Sequence, residues 1–233
     1  MKSYRNTAVI AGVLYITGTV AGILSIVFTG PVLNSRDYLD KISTNENMLI
    51  TGSLFILIMG IALAMIPAVM FPVLRKINEP LAIGYIIFRG ALETFTYIIT
   101  AFSWLSLIRL FQLDIHFTIS DLVNYKTLGL MLQDTKMISC IATIVFILGA
   151  LMFYFMLYKS GIVPRWISGW GLISALPYLT AGILVLFGLI DHKSTWETVL
   201  FMPLAIQEMV LAVWLIVRGF NSLALTSLTV KGT

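Results

Sequence analysis

Charged residues are scarce in this sequence. Asp, Glu, Lys and Arg together make up 11% of its 233 residues, and hydrophobic residues make up 59%. A soluble globular domain carries about 25% charged residues. The composition therefore excludes an ordinary soluble domain and predicts a membrane protein. The net charge of +4 does not indicate nucleic-acid binding, because the basic residues flank hydrophobic runs, where membrane topology explains them.

Cysteine and the common catalytic motifs are also nearly absent. Cys140 is the single cysteine, so it can form no intrachain disulfide, and its apolar surroundings favour a packing role. The sequence contains no HExxH, no GxSxG, no phosphate-binding glycine loop and no paired acidic motif of a prenyl-handling enzyme. These absences argue against the familiar enzyme classes and leave an unfamiliar intramembrane enzyme open. No cofactor is predicted.

The two histidines, His116 and His192, lie in predicted loops near Asp114 and Asp191. Neither pair has the fixed ligand spacing that a zinc site needs. The pattern favours solvated loop residues over metal ligands, so no metal site is predicted.

What the sequence does contain is long apolar runs. A membrane-spanning helix needs about 20 apolar residues, and six runs qualify. The fold class is therefore all-α, a polytopic transmembrane helical bundle in one domain over residues 1–233, with seven spans as the alternative. The predicted spans are 7–28, 49–74, 81–110, 135–158, 167–190 and 198–218. The first run is too long for a signal peptide and has no clear cleavage site, so it is interpreted as a retained helix.

The connections are marked by polar and proline residues. The loop from Thr29 to Met48 has Pro31 at its beginning. The longest connection runs from Phe111 to Gln133, and its pattern predicts a short amphipathic helix with Ser120 as the N-cap. Pro67 and Pro72 in span two and Pro177 in span five predict helix bends.

The basic residues predict the orientation in the membrane. Because cytoplasmic loops are enriched in Lys and Arg, the more basic side is predicted to be cytoplasmic, together with both termini. That side carries Glu79 as its only acid and eight basic residues: Lys2, Arg5, Arg75, Lys76, Lys159, Arg165, Arg218 and Lys231.

The third span holds two full charges near its centre. Arg89 and Glu93 are four residues apart, so on a helix they share one face. Thr96 or Tyr97, then Thr100, then Ser103 or Trp104 continue that face. A charge at the bilayer centre costs about 2.5–3.5 kcal/mol even on the lenient insertion scale, so such residues face the bundle interior or a wet cavity.

Span six adds Gln207 and Glu208 near its middle. Glu93 lies about 12 residues into span three and Glu208 about 10 into span six, so both fall near the midplane at a rise of about 1.5 Å per residue. The candidate ligand-binding residues are therefore Arg89, Glu93, Tyr97, Gln207 and Glu208. One interpretation is a site for a polar or anionic head group with Arg89 as its anchor. The other is a structural network from Glu208 through Arg89 to Glu93 that ties two spans together.

Several segments resemble a bacterial family of membrane proteins known as domain of unknown function 4386. They are the opening of the first span (8–15), the turn SGIVPRWISG (160–169) and the closing segment EMVLAVWLIVRGF (208–220), with Arg89 and Glu93 as a further match. The resemblance implies an integral membrane protein of six or seven helices and no particular reaction. It implies the bacterial plasma membrane as the location of this multi-pass chain.

Three functions remain open from the sequence. The first is a binding or transport protein whose midplane cavity takes a small amphipathic or lipid-like molecule. The second is an intramembrane enzyme that uses Glu93 or Glu208 as a general acid or base. The third is a structural or accessory subunit in which the charges only join helices. The lipid bilayer is the predicted partner in all three, a small amphipathic ligand in the first, and nucleic acid in none.

Overall fold

A computed structural model of the chain describes residues 2–35, 41–42, 44–112 and 127–230, and these residues contain helices and no strand. Residues 127–133 are helical. The bounded elements are α1 (Lys2–Leu33), α2 (Glu46–Leu74), α3 (Glu79–Tyr85), a π-helical segment (Ile86–Leu92), α4 (Glu93–Gln112), α5 (Lys136–Ser160), α6 (Arg165–Leu186), α7 (Thr195–Val217) and α8 (Ser222–Val230).

Within the described part of the chain, six helices are long and apolar enough to cross a membrane. They cover Tyr4–Leu33, Glu46–Leu74, Glu79–Leu110, Thr127–Ser160, Arg165–Leu186 and Thr195–Val217, and are called spans one to six below. The predicted polytopic helical bundle with six spans is confirmed. The further helix α8 has nine residues, which is too short to cross a bilayer.

Several helix ends differ from the predicted ones. Pro31 does not begin a loop but lies inside α1, which continues to Leu33; one proline near a helix end removes a single backbone hydrogen bond there. Span five ends at Leu186 rather than at residue 190. Span six begins at Thr195, because the hydroxyl of Ser194 caps the helix by accepting from the Glu197 N–H at 3.3 Å. The helix predicted from Ser120 lies mostly outside the described residues.

The six spans close into a ring in chain order. Each span packs against the next one along the sequence, and α7 of span six packs back against α1. Short connections favour antiparallel packing of consecutive helices. Span three, made of α3, the π-helical segment and α4, therefore faces span six across the interior of the ring.

Apolar side chains cover the outside of the ring. Ile61, Phe102, Ile173 and Leu176 each expose more than 60% of their surface. Such exposure would be costly in water but suits lipid, where backbone polar groups are satisfied inside each helix and the side chains meet hydrocarbon.

Large aromatic side chains fill the interior near one end of the ring. Tyr15, Tyr85, Phe153 and Tyr154 are each 1% exposed. The Tyr85 and Phe153 rings stack with centroids 4.7 Å apart, and the Tyr15 and Tyr85 hydroxyls lie 3.4 Å apart. This aromatic cluster lies on the side of the ring where α1 begins and α2 ends, called the basic end below because Arg5, Arg75 and Lys76 lie there.

Candidate functional site

The backbone that carries Arg89 is not α-helical. Residues Ile86–Leu92 form a π-helical segment between α3 and α4. This segment packs closely on Gly149 of α5. A Cβ added at Gly149 would lie 3.2 Å from the backbone nitrogen of Arg89 and 3.2 Å from the Cβ of Phe88. Short π-helical segments are rare and occur often at functional sites. The sequence pattern had indicated a continuous α-helix here.

Arg89 joins the carboxylates of two opposite spans. Its Nη1 donates to both Glu93 oxygens at 3.0 Å, and its Nη2 donates to Glu208 Oε1 at 3.1 Å. The first contact is local, at a spacing of four residues. The second crosses the ring interior between residues 119 positions apart. The structure therefore brings together the three ionisable residues that the sequence placed at one depth.

Neighbouring side chains hold this ion network in place. The Tyr97 hydroxyl donates to Glu93 Oε1 at 2.6 Å. The Arg89 guanidinium lies 4.4 Å from the centroid of the Phe146 ring, a distance at which a cation is attracted by the ring face. Arg89 is 2% exposed and Glu93 1% exposed. Both terminal nitrogens of Arg89 are therefore engaged by carboxylates, and one face of the guanidinium lies on an aromatic ring.

Glu208 is the most accessible member of the network. Its side chain is 16% exposed, compared with 3% for Arg89 and 2% for Glu93. One of its oxygens, Oε1, accepts from Arg89. Glu208 also lines the pocket described next.

A pocket of about 380 Å³ lies beside the network, inside the ring. We call it the inner pocket. All six spans contribute to its wall, which combines the three charged residues with aromatic, hydroxyl and small apolar side chains. Its lining residues are Gly18, Thr19, Ile26, Met59, Leu63, Arg89, Glu93, Tyr97, Ser139, Ala142, Thr143, Phe146, Tyr178, Phe201, Leu204, Ala205 and Glu208.

A second pocket of about 510 Å³, the outer pocket, adjoins the first. Ile26, Tyr97, Ser139, Ala142 and Phe201 line both. From there the outer pocket extends to the end of the ring opposite the basic end. Its wall includes Thr29, Asn34, Thr96, Thr100, Trp104, Thr135, His192, Lys193 and Glu197. The polar face predicted to continue from Glu93 along span three thus lines this pocket through Thr96, Tyr97, Thr100 and Trp104.

The turn before α7 forms part of the outer pocket wall. His192 Nδ1 lies 3.2 Å from Glu197 Oε1, and the Lys193 N–H donates to Glu197 Oε2. Lys193 has a φ of 62°, a left-handed conformation that is uncommon for a residue other than glycine. Glu197, which is 5% exposed, therefore fixes both the turn and the first turn of α7.

Gln207 does not join the ion network. It is fully buried, and its side-chain amide donates to the Ile167 carbonyl of α6 at 3.0 Å. It is not among the residues that line either pocket. Its assignment as a ligand-binding residue stays a prediction, and its observed contact joins α7 to α6.

Sequence reasoning missed the aromatic part of the site. Phe146, Tyr178 and Phe201 come from spans four, five and six and meet beside Glu208. The Tyr178 and Phe201 rings stack with centroids 3.9 Å apart, and Phe146 meets Tyr178 edge-on at 5.1 Å. These residues are ordinary members of apolar runs, so no local signal in the sequence distinguishes them from lipid-facing aromatics.

Of the two His–Asp pairs in the sequence, Asp191 and His192 lie among the described residues. Within the described ranges, no three or more His, Cys, Asp or Glu side chains gather as a metal site would require. His192 contacts Glu197 as described, and His116 and Asp114 lie outside the described residues.

A known protein family matches most of the chain. The model of a family described as "Domain of unknown function (DUF4386)" matches residues 10–219, so the match covers most of span one, all of spans two to six and the ion network. No curated protein and no solved structure matches the chain.

Proposed function

The chain belongs to the DUF4386 family, which carries no assigned activity, and from its own residues we propose a binding or transport protein for a small amphipathic or lipid-like molecule. In this proposal the polar head of the ligand occupies the inner pocket beside Arg89, Glu93 and Glu208. The apolar part lies along the hydrophobic walls. The outer pocket is the route by which the ligand enters.

The observation that carries the proposal is the space beside the charges. A network that only joined helices would be best buried without a pocket, because a desolvated ion pair gains most when its partners and their hydrogen bonds are complete. Here Glu208 keeps 16% of its side-chain surface exposed, and a pocket of about 380 Å³ lies next to it. Drug-sized ligand sites have volumes of about 300–1,000 Å³ and combine apolar walls with a few polar groups.

The packing at the two ends of the ring supports access from one side. Towards the basic end, the ring interior is filled by the aromatic cluster of Tyr15, Tyr85, Phe153 and Tyr154. Towards the opposite end, the inner pocket adjoins the outer pocket. A ligand would therefore approach the charges from the end that carries His192.

We further propose that the basic end faces the cytoplasm of a bacterial cell, with both chain termini on that side and the outer pocket facing outward. The positive-inside rule supports this orientation. Reporter fusions after Lys76 and after Lys159 should then give cytoplasmic signals, and a fusion near Asp121 an external one. An external signal after Lys159 would contradict the orientation.

The binding proposal is tested by obstructing the pockets. Ala142 lines both of them, so Ala142→Trp should fill their junction. The adjacent Ile141 is 55% exposed and lines neither pocket, so Ile141→Trp is the matched control. Each protein is purified in non-ionic detergent, and its melting temperature is measured with and without total lipid extracted from the host membrane.

A ligand that binds only the folded state at about 100 times its Kd stabilises it by about 2.7 kcal/mol. Wild type and Ile141→Trp should therefore melt at a higher temperature with the extract, and Ala142→Trp should not respond. An equal response of all three proteins, or no response of wild type, would contradict the proposal and favour a structural role for the charges.

A further inference from the structure

The charge of the ligand can be inferred from how the ion network is connected. This inference rests on the proposed function, because it concerns the head group that the inner pocket would hold. A guanidinium that anchors an anionic ligand does so through free N–H donors. In this site, Arg89 donates from Nη1 to both Glu93 oxygens and from Nη2 to Glu208. One N–H of Nη2 remains, on an Arg89 side chain that is 3% exposed. Its Nε is buried with no hydrogen-bond partner, and so offers no surface to a ligand in the pocket.

The formal charge of the site also argues against an anionic ligand. Among the described residues that line the inner pocket, Arg89, Glu93 and Glu208 are the charged ones. With both carboxylates ionised, they sum to −1. Lys193 and Glu197 in the wall of the outer pocket cancel each other formally. Of the three charged side chains of the inner pocket, Glu208 is the most exposed, and its carboxylate accepts hydrogen bonds and attracts cations.

The walls next to Glu208 suit the apolar surface of an organic cation. Tyr178 and Phe201 line the inner pocket as a stacked pair, and Phe146 already holds the Arg89 guanidinium against its ring. Aromatic side chains are the usual partners of substituted ammonium groups, whose carbon-bound hydrogens carry part of the positive charge.

We infer that the inner pocket takes an amphipathic organic cation, with an ammonium head group beside Glu208 and its hydrocarbon part against Tyr178 and Phe201. The Glu208 carboxylate supplies the charge complement. Arg89 and Glu93 position that carboxylate and do not contact the ligand's charge themselves. With both carboxylates ionised, an anionic head group would meet a site of net negative charge whose one cation is already paired.

The test compares three probes that share a hexyl chain: hexyltrimethylammonium, hexyl sulfate and hexanol. Their dissociation constants for the purified protein in non-ionic detergent are obtained from the concentration dependence of the melting temperature. Wild type should bind the cation about tenfold or more tightly than hexanol, as expected when a carboxylate and an aromatic face attract one desolvated cation, and hexyl sulfate more weakly than hexanol. In Ala142→Trp the preference for the cation should disappear.

The variant Glu208→Gln tests whether the negative charge of Glu208 is responsible for the preference for the cation. It keeps an oxygen that can accept from Arg89 but removes the negative charge, so the cation should lose its advantage over hexanol. Glu79→Gln removes a carboxylate from an exposed position at the start of α3 and should leave all three constants unchanged. If Glu208→Gln does not fold, the order of the three dissociation constants for wild type is sufficient to confirm or contradict the inference.

The outcomes separate this inference from the proposed function. If the lipid extract stabilises wild type but not Ala142→Trp, and the cation binds no better than hexanol or hexyl sulfate, the pocket binds a ligand and the inference about its charge is wrong. The inference is equally wrong if none of the three probes binds. If the extract has no effect that depends on the pocket, the proposed function itself is contradicted.

Discussion

Replacing Arg89 by leucine should destabilise the protein severely. The change removes two hydrogen bonds to Glu93 at 3.0 Å and one to Glu208 at 3.1 Å. Glu93, which is 1% exposed, then keeps the Tyr97 hydroxyl at 2.6 Å but has no cation beside it. Glu208 is better placed to tolerate the loss, since part of its side chain reaches the inner pocket.

The size of the effect follows from this burial. Removing one partner of a buried ion pair costs about 3–5 kcal/mol, because an uncompensated charge remains in a medium of low polarity. For a chain of 150–250 residues each kcal/mol shifts the melting temperature by about 2–4 °C, so a fall of about 6–20 °C is expected.

The informative comparison is with the double variant Arg89→Leu, Glu93→Leu. Replacing both members of a buried pair by apolar residues is often neutral or stabilising. The double variant should therefore recover most of the lost stability, although Glu208 stays unpaired. Arg109→Leu is the control on the same span, because Arg109 is exposed and bonds Gln112.

The assay is the melting temperature of each variant in the same detergent, without added lipid. The reasoning would be refuted if Arg89→Leu melted within about 2 °C of wild type, which is the effect of a surface substitution. It would be refuted equally if the double variant were as unstable as the single one, since the cost would then not come from an unpaired Glu93 charge.

Two further predictions concern the support of the network. Tyr97→Phe removes the hydroxyl that donates to Glu93 and should cost about 1–3 kcal/mol; an unchanged free energy of unfolding would show that this bond contributes little. Gly149→Val should cost about 1–3 kcal/mol by overpacking, because its Cβ would lie 3.2 Å from the backbone of Arg89. Gly169→Val, whose nearest neighbour would be a Tyr158 ring carbon at 3.5 Å, is the control and should melt closer to wild type.

The sequence was most informative about features that depend on residues close together in the chain. An apolar run long enough to cross a bilayer must satisfy its backbone within the helix, so six runs predicted six spans. Arg89 and Glu93 were predicted to share a face because their spacing fits one helical turn. Helix ends were predicted less accurately, as Pro31 and the cap at Ser194 show, because a single capping interaction or proline near a helix end can shift that end.

Tertiary packing decided what lies next to those charges. Gln207 and Glu208 are adjacent in the sequence and equally polar, so the sequence gives no reason for one to bond α6 and the other to face Arg89. The order of the spans places span six opposite span three, and the rotation of span six about its own axis then determines which of the two residues faces Arg89. The π-helical segment at Arg89 likewise depends on close contact with Gly149 of α5, which no local pattern indicates.

The pockets show most clearly the difference between what the sequence determines and what tertiary packing decides. The sequence determined that charges lie near the middle of spans three and six, and the cost of burying them in lipid predicted that they face the interior of the bundle. Only the packed structure decided that Phe146, Tyr178 and Phe201 meet beside Glu208, and that space remains between them. Each of these side chains is apolar and could equally have faced lipid, so their meeting depends on the rotation of every span within the closed ring.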